Sequence, residues 1–163
     1  LFRSDITNLK VDVIVSSDDT RLQMGGEVSY RIREIGGVEI YNQVRQIAPI
    51  GLGQIAVTDA GKLRAKKVFH PAVIDWSHKK RTSIDVIKQI VRNCMVGARQ
   101  YNLKSIAFPL LGTGAGLLEP KMVSEAMLSE LKVELSREEL TIKEVAIAIL
   151  GMPSKILDLE NLF

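Results

Sequence analysis

Two hydrophobic patterns alternate along the chain, and each predicts a different element. Val11-Asp12-Val13-Ile14-Val15, Gly53-Gln54-Ile55-Ala56-Val57-Thr58, residues 67–74, residues 106–111 and residues 145–150 are short runs rich in apolar and β-branched residues, and they predict strands. Pro71 lies inside the 67–74 run and has no N–H to give a ladder, so a strand end or edge is expected there. Between the runs, apolar residues return every three or four positions. Val28, Ile32 and Ile35 predict a helix opened by Gly25-Gly26 and ended by Gly36-Gly37. Val38, Ile40, Tyr41, Val44 and Ile47 predict a second one, stopped at Pro49. The longest stripe is Ile84, Ile87, Val91, Cys94, Ala98 and Tyr101, with Thr82 and Asp85 as its capping box. Val123, Ala126, Met127 and Leu131 mark a fourth helix. Strands alternating with helices predict an α/β fold with a mixed, mostly parallel sheet. Residues 16–20 read as a polar loop, and Gly151-Met152-Pro153 breaks the last strand.

Candidate chemistry gathers after the 106–111 run. Gly112, Gly114 and Gly116 alternate, with Thr113 after the first, and Glu119-Pro120 then opens a helix. Glycine at that density lets the chain turn inward and leaves amide N–H groups bare. A strand, a bare-amide loop and a helix start form an arrangement suited to phosphate. The lysine and hydroxyl of a P-loop are absent, and the spacing is not G-x-G-x-x-G. A tight strand-to-helix turn with no ligand stays open as the alternative.

Composition narrows the setting. A length of 163 residues suits one domain with a sizeable core. No apolar run approaches the roughly 20 residues of a membrane span, so no membrane partner is expected. Leu1 stands where a methionine would, which suggests a piece of a longer protein. The single cysteine forbids an internal disulfide and fits a cytoplasmic setting. It sits on the 82–101 stripe and reads as core. His70, in an apolar strand, reads as structural and His78 as solvated, while Trp76 is undecided. No nucleophilic triad is apparent. The net charge of +3 is concentrated in Arg64-Ala65-Lys66-Lys67 and His78-Lys79-Lys80-Arg81. Both clusters lack interleaved aromatics and read as solvated loops, so nucleic acid is not expected as a partner.

Several pieces, in this order, resemble the macro domain family of ADP-ribose-binding modules (the Appr-1-p processing type). They are Ser4-Asp5-Ile6-Thr7, Val11–Val15, Leu22-x-Met24-Gly25-Gly26-x-Val28, Ala107-Phe108-Pro109 and Leu111-Gly112-Thr113-Gly114-Ala115-Gly116. The resemblance implies a three-layer α/β/α sandwich over residues 1–163, with a cleft at the strand ends. The family's leading strand would be cut short, with Leu1-Phe2 its remnant. It further implies that Asp5 accepts from the adenine amino group and that Ile6 offers its backbone amide nearby. Gly25, Gly26 and Val28 would line the diphosphate and distal ribose from one side, and Leu111, Gly112, Thr113, Gly114, Ala115 and Gly116 from the other. No cofactor is implied.

The chain departs from the family at one end of that cleft. Macro domains usually read Asn-Ala-Ala-Asn where Ser16-Ser17-Asp18-Asp19 stands, so the ribose-orienting position holds Asp19, which cannot donate as an amide does. Glu27 replaces the third glycine, and a left-handed backbone there would carry about 1 kcal/mol of strain. Ser29 replaces the acid of the hydrolytic members. A carboxylate about 8 Å from a phosphate charge costs on the order of 2 kcal/mol at an effective dielectric near 20. The expectation is a module that binds ADP-ribose or a related nucleotide diphosphate, free or on an ADP-ribosylated protein, without efficient hydrolysis. The alternatives are an ADP-ribosyl hydrolase using Asp19 and a protein or nucleic-acid interaction module that has lost the ligand. Asp18, Asp19 and Glu27 are also candidate oxygen ligands for Mg²⁺ or Ca²⁺.

Overall fold

The computed structural model describes residues 4–137 and 141–149. After a 3₁₀ turn over Ile6–Asn8 come strand β1 (Val13–Val15), a two-residue strand β2 (Asp18–Asp19), helices α1 (Glu27–Gly36) and α2 (Val38–Ile47), and strands β3 (Ile55–Asp59) and β4 (Lys67–Ile74). Helix α3 (Ile84–Gln100), strand β5 (Ser105–Pro109), helix α4 (Pro120–Leu135) and strand β6 (Glu144–Ala148) complete the order. The remnant expected at Leu1-Phe2, Leu150 and the break at Gly151-Met152-Pro153 lie outside the described residues.

One sheet carries the fold. β1 pairs in parallel with β4 on one side, Val15 opposite Phe69, and with β5 on the other, Ile14 opposite Ala107. β6 extends the parallel order beyond β5, and β3 pairs antiparallel with the far side of β4. After β1 the chain keeps following β4, so Asp18 comes opposite Ala72 in β2. Because strand side chains alternate between faces, two cores form. Val13, Val15, Phe69, Ile106, Phe108 and Ile147 pack under α3 and α4. Ile14, Val68, Ala107, Ala146 and Ala148 pack with Ile32 of α1 and with Ile40 and Val44 of α2. The result is the three-layer α/β/α arrangement with a mostly parallel sheet. Each large side chain so buried contributes roughly 1.5–3 kcal/mol. Across the first face, Arg99 meets the wholly buried Glu134 at 2.5 Å and Arg92 meets Glu130 at 2.9 Å, which fixes α3 against α4.

Local expectations are corrected in four places. Pro71 sits inside β4, opposite Ile55, rather than at an end or edge. The Phe69 carbonyl accepts from Ser16 and the Ala72 N–H donates to Gln54, so alternation aims the Pro71 nitrogen at residues 16–17, where the ladder between β1 and β2 is interrupted. Ser83, not Thr82, caps α3, its hydroxyl accepting from the Val86 N–H. Asp18 and Asp19 form a strand rather than a loop. Ile35, Ile47 and Tyr101 of the predicted stripes lie on the surface. Cys94 is fully buried on α3, which pushes its thiol well above the ordinary range. His70 is buried in β4 with a ring nitrogen 2.9 Å from the Thr58 hydroxyl, and burial pushes it down to about 3, so it stays neutral.

Candidate functional site

Parallel pairing brings the carboxyl ends of β1 and β5 side by side, so the segments that follow them leave the same edge of the sheet. The segment after β5 is held by packing of its own backbone. Gly112 has a positive φ of 74°, and a Cβ there would stand 2.7 Å from the Thr82 methyl. At Gly116 a Cβ would stand 2.4 Å from the Gly112 carbonyl oxygen. The Leu118 N–H donates to that carbonyl and the Leu117 N–H to Gly114, which closes the turn. Thr113 turns its hydroxyl back onto the Leu110 carbonyl at 3.0 Å. The N–H groups of Thr113, Gly114, Ala115 and Gly116 are left with no acceptor among the described residues. Gly114 and Ala115 are exposed, and a Cβ on Gly114 would meet nothing within 4 Å. Glu119 caps α4 through the N–H groups of Lys121 and Met122, so the first donors of that helix are already occupied.

The segment after β1 is held differently, by carboxylates. Asp18 is buried and accepts from the N–H groups of Asp19 and Met24 at 2.9–3.0 Å. Burial, reinforced by the neighbouring Asp19 charge, outweighs those bonds and pushes its carboxyl up to about 7. Asp19 accepts from the Arg21 N–H at 2.6 Å. Leu22 and Met24 adopt positive φ while wholly buried, which turns the chain toward α1. Gly26 is the residue before α1, and its N–H donates to the Ser29 hydroxyl at 3.1 Å. The Glu27 and Val28 N–H groups stand in the first helical turn, where no intrahelical acceptor exists. Glu27 is exposed and helical, so the left-handed strain expected there is absent. Gly25 has open space around a notional Cβ, and Val28 is half-buried.

Asp5 caps the 3₁₀ turn. Its carboxylate accepts from the N–H of Thr7 at 3.0 Å and the hydroxyl at 2.7 Å, and Arg31 of α1 donates to its other oxygen. Burial opposes the charge, but the hydrogen bonds of Thr7 and Arg31 hold the carboxyl below its usual range. Each carboxylate oxygen carries two lone pairs, so capacity for a further donor remains. The Ile6 N–H beside it has no acceptor among the described residues. Sequence reasoning missed two residues here: Arg31, which steadies Asp5, and Asp18 as the organiser of the segment. Arg31 has no local signal because Asp5 comes near it only on folding, and for Asp18 the turn that brings the Met24 N–H to its carboxylate leaves no pattern in the sequence.

Among the described residues no three His, Cys, Asp or Glu side chains are placed to share a metal ion, and Asp18, Asp19 and Glu27 do not form such a group. An open cleft of about 610 Å³ lies between the segment after β2 and the turn after β4, and includes Arg21, Arg45, Asp75 and His78. There His78 meets Asp75 at 2.7 Å, while Trp76 is exposed. No helix among the described residues is long and apolar enough to cross a membrane.

Comparison with known proteins now decides the family. The Macro domain family model matches residues 15–127, a span that includes both segments. The chain belongs to the macro domain family. An uncharacterized protein of Aquifex aeolicus is 32% identical over 130 residues, covering 80% of this chain and 78% of that protein. Human protein mono-ADP-ribosyltransferase PARP14 is 29% identical over 150 residues, which are 89% of this chain and 8% of that protein. Among solved structures, the Trypanosoma brucei macrodomain in complex with ADP-ribose superposes with a TM-score of 0.86 at 19% identity, over 99% of this chain and 67% of that one. The Oceanobacillus iheyensis macrodomain with ADP gives 0.83 at 19% identity, over 98% and 86%. At such identities the structural likeness shows the macro domain fold.

Proposed function

We propose that the two segments after β1 and β5 form a binding site for ADP-ribose or a related nucleotide diphosphate, and that the site binds without efficient hydrolysis. The observation that carries this reading is the run of bare N–H groups from Thr113 to Gly116, on the sheet edge from which the segment leading to α1 also leaves. Each such donor contributes about 1 kcal/mol toward an oxyanion. Asp5 would accept from the adenine amino group, with the Ile6 amide beside it. Repulsion from the acidic segment is reduced because Asp18 is pushed up to about 7 and Glu27 is exposed to solvent screening. Slow hydrolysis fits Asp19, which is turned onto the Arg21 N–H, and Ser29, whose hydroxyl is bonded to Gly26.

The reading treats residues 1–163 as one domain working in the cytoplasm on free ADP-ribose or an ADP-ribosylated protein. Calorimetric titration with ADP-ribose, with and without Mg²⁺, tests it. Saturable one-to-one heat in both buffers is expected, and no heat in either would overturn the proposal. Asp19→Asn separates it from the hydrolase alternative. A binding module should bind more tightly after that change, whereas a hydrolase using Asp19 should lose turnover.

A further inference from the structure

The opposite edge of the sheet is as strongly marked as the ligand edge, and in the opposite sense. An open cleft of about 630 Å³ lies there, lined by the residues that lead into four adjacent parallel strands. Lys10 and Asp12 precede β1, Arg64 and Lys66 precede β4, Lys104 precedes β5, and Lys143 precedes β6. The register keeps these entries level, with Val13 opposite both Lys67 and Ile106, and Ser105 opposite Glu144. Asp12 ties them together: its carboxylate accepts from the Lys104 N–H at 2.7 Å and pairs with the Lys66 ammonium at 2.9 Å, and its own N–H donates to the Ser105 hydroxyl at 2.8 Å. That carboxylate is therefore already matched by Lys66. Lys10, Arg64, Lys104 and Lys143 are exposed, and their side chains make no ion pair or hydrogen bond among the described residues. Glu144 is the other acid in the lining. Five cations against two carboxylates leave an excess of three, as large as the net charge of +3 on the whole chain.

We propose that this cleft binds the backbone of a single-stranded polynucleotide. Neighbouring strands lie about 4.8 Å apart, so the four strand entries that carry the unpaired cations span roughly 14 Å. A span of that length matches a chain of repeated phosphates better than one small anion. The lining holds no aromatic side chain on which bases could stack, so recognition is of the backbone and is independent of base sequence. In the amino-acid sequence these cations are scattered over more than a hundred positions, and only the parallel strand order gathers them. The inference does not depend on the ADP-ribose reading, because the two sites occupy opposite edges of the sheet.

Fluorescence anisotropy of a labelled 12-nucleotide oligouridine tests it. Binding at low salt is expected, with log K falling against log salt at a slope of about −2 to −3 if three or four phosphates are neutralised. Lys10→Glu with Lys104→Glu should weaken binding at least tenfold, and Arg64→Glu with Lys143→Glu should do the same if the first pair fails to fold. Lys79→Glu with Lys80→Glu makes the same charge change outside the cleft and should alter binding less than twofold. Saturating ADP-ribose should leave the oligonucleotide bound. The proposal is overturned by no binding at low salt, by equal loss in the control pair, by displacement with ADP-ribose, or by a polyglutamate peptide of equal charge binding as tightly.

Discussion

The segments after β1 and β5 leave neighbouring strands at the same edge, yet they are built on opposite principles. After β1, side chains satisfy the backbone: Asp18 holds Met24, Asp19 holds Arg21, and Ser29 holds Gly26. After β5, the backbone is shaped by close packing around Gly112 and Gly116, and its donors from Thr113 to Gly116 stay bare. The first segment can be retuned by changing side chains and by pH. The second has no titratable side chain, and it fails when its packing is broken.

Breaking that packing should have the largest effect. Gly116→Ala puts a Cβ against the Gly112 carbonyl oxygen at 2.4 Å, so we expect a stability loss of about 3 kcal/mol together with loss of ADP-ribose binding. Thermal melts with calorimetry check this, and a normal melt would mean the turn is not packed as described. The next effect belongs to the other segment. The Asp18 carboxyl is raised to about 7 when folded and stands at 3.8 when unfolded, so the native state binds the extra proton between those values. Stability should therefore fall as pH rises from about 4 to 7. Asp18→Asn keeps an acceptor for Met24 without the charge, and should flatten that profile and gain about 2–4 kcal/mol at pH 8. Urea melts across pH decide it, and a wild-type profile in the variant would contradict the burial assigned to Asp18.

Much of the fold was legible because it rests on local patterns. Val11–Val15, residues 106–111 and the 82–101 stripe announce β1, β5 and α3 through runs and spacing that need no knowledge of neighbours. The alternating glycines likewise announced a turn with bare donors. What stayed hidden depends on partners distant in sequence. Asp18 looks like a loop residue until β4 lies beside it, and Pro71 is tolerated inside a strand only because the ladder is interrupted at residues 16–17. Ile35 and Ile47 fit a helical stripe, yet the fold leaves both on the surface. Glu27 could be judged strained only by assuming that its backbone copied a glycine, and the helix starts one residue too early for that.

Smaller effects sharpen the contrast. Asp5→Ala removes the acceptor shared by Thr7 and Arg31, and should cost about 1 kcal/mol of stability and roughly tenfold in affinity for ADP-ribose. Equal affinity in the variant would remove Asp5 from the adenine role. Gly25→Ala and Gly114→Ala should each change stability by less than about 0.5 kcal/mol, because a Cβ meets nothing within 4 Å at either site. Any loss of affinity in these two then reports on the bound ligand rather than on the fold, and isothermal titration beside a thermal melt separates the two.

The most direct measurement is an amide ¹H–¹⁵N spectrum recorded during addition of ADP-ribose. The account predicts that the Thr113, Gly114, Ala115 and Gly116 resonances shift downfield together and saturate at one equivalent, with Glu27 and Val28 following. Saturation that leaves those four amides unmoved would contradict it, because the bare donors would then have no part in holding the diphosphate.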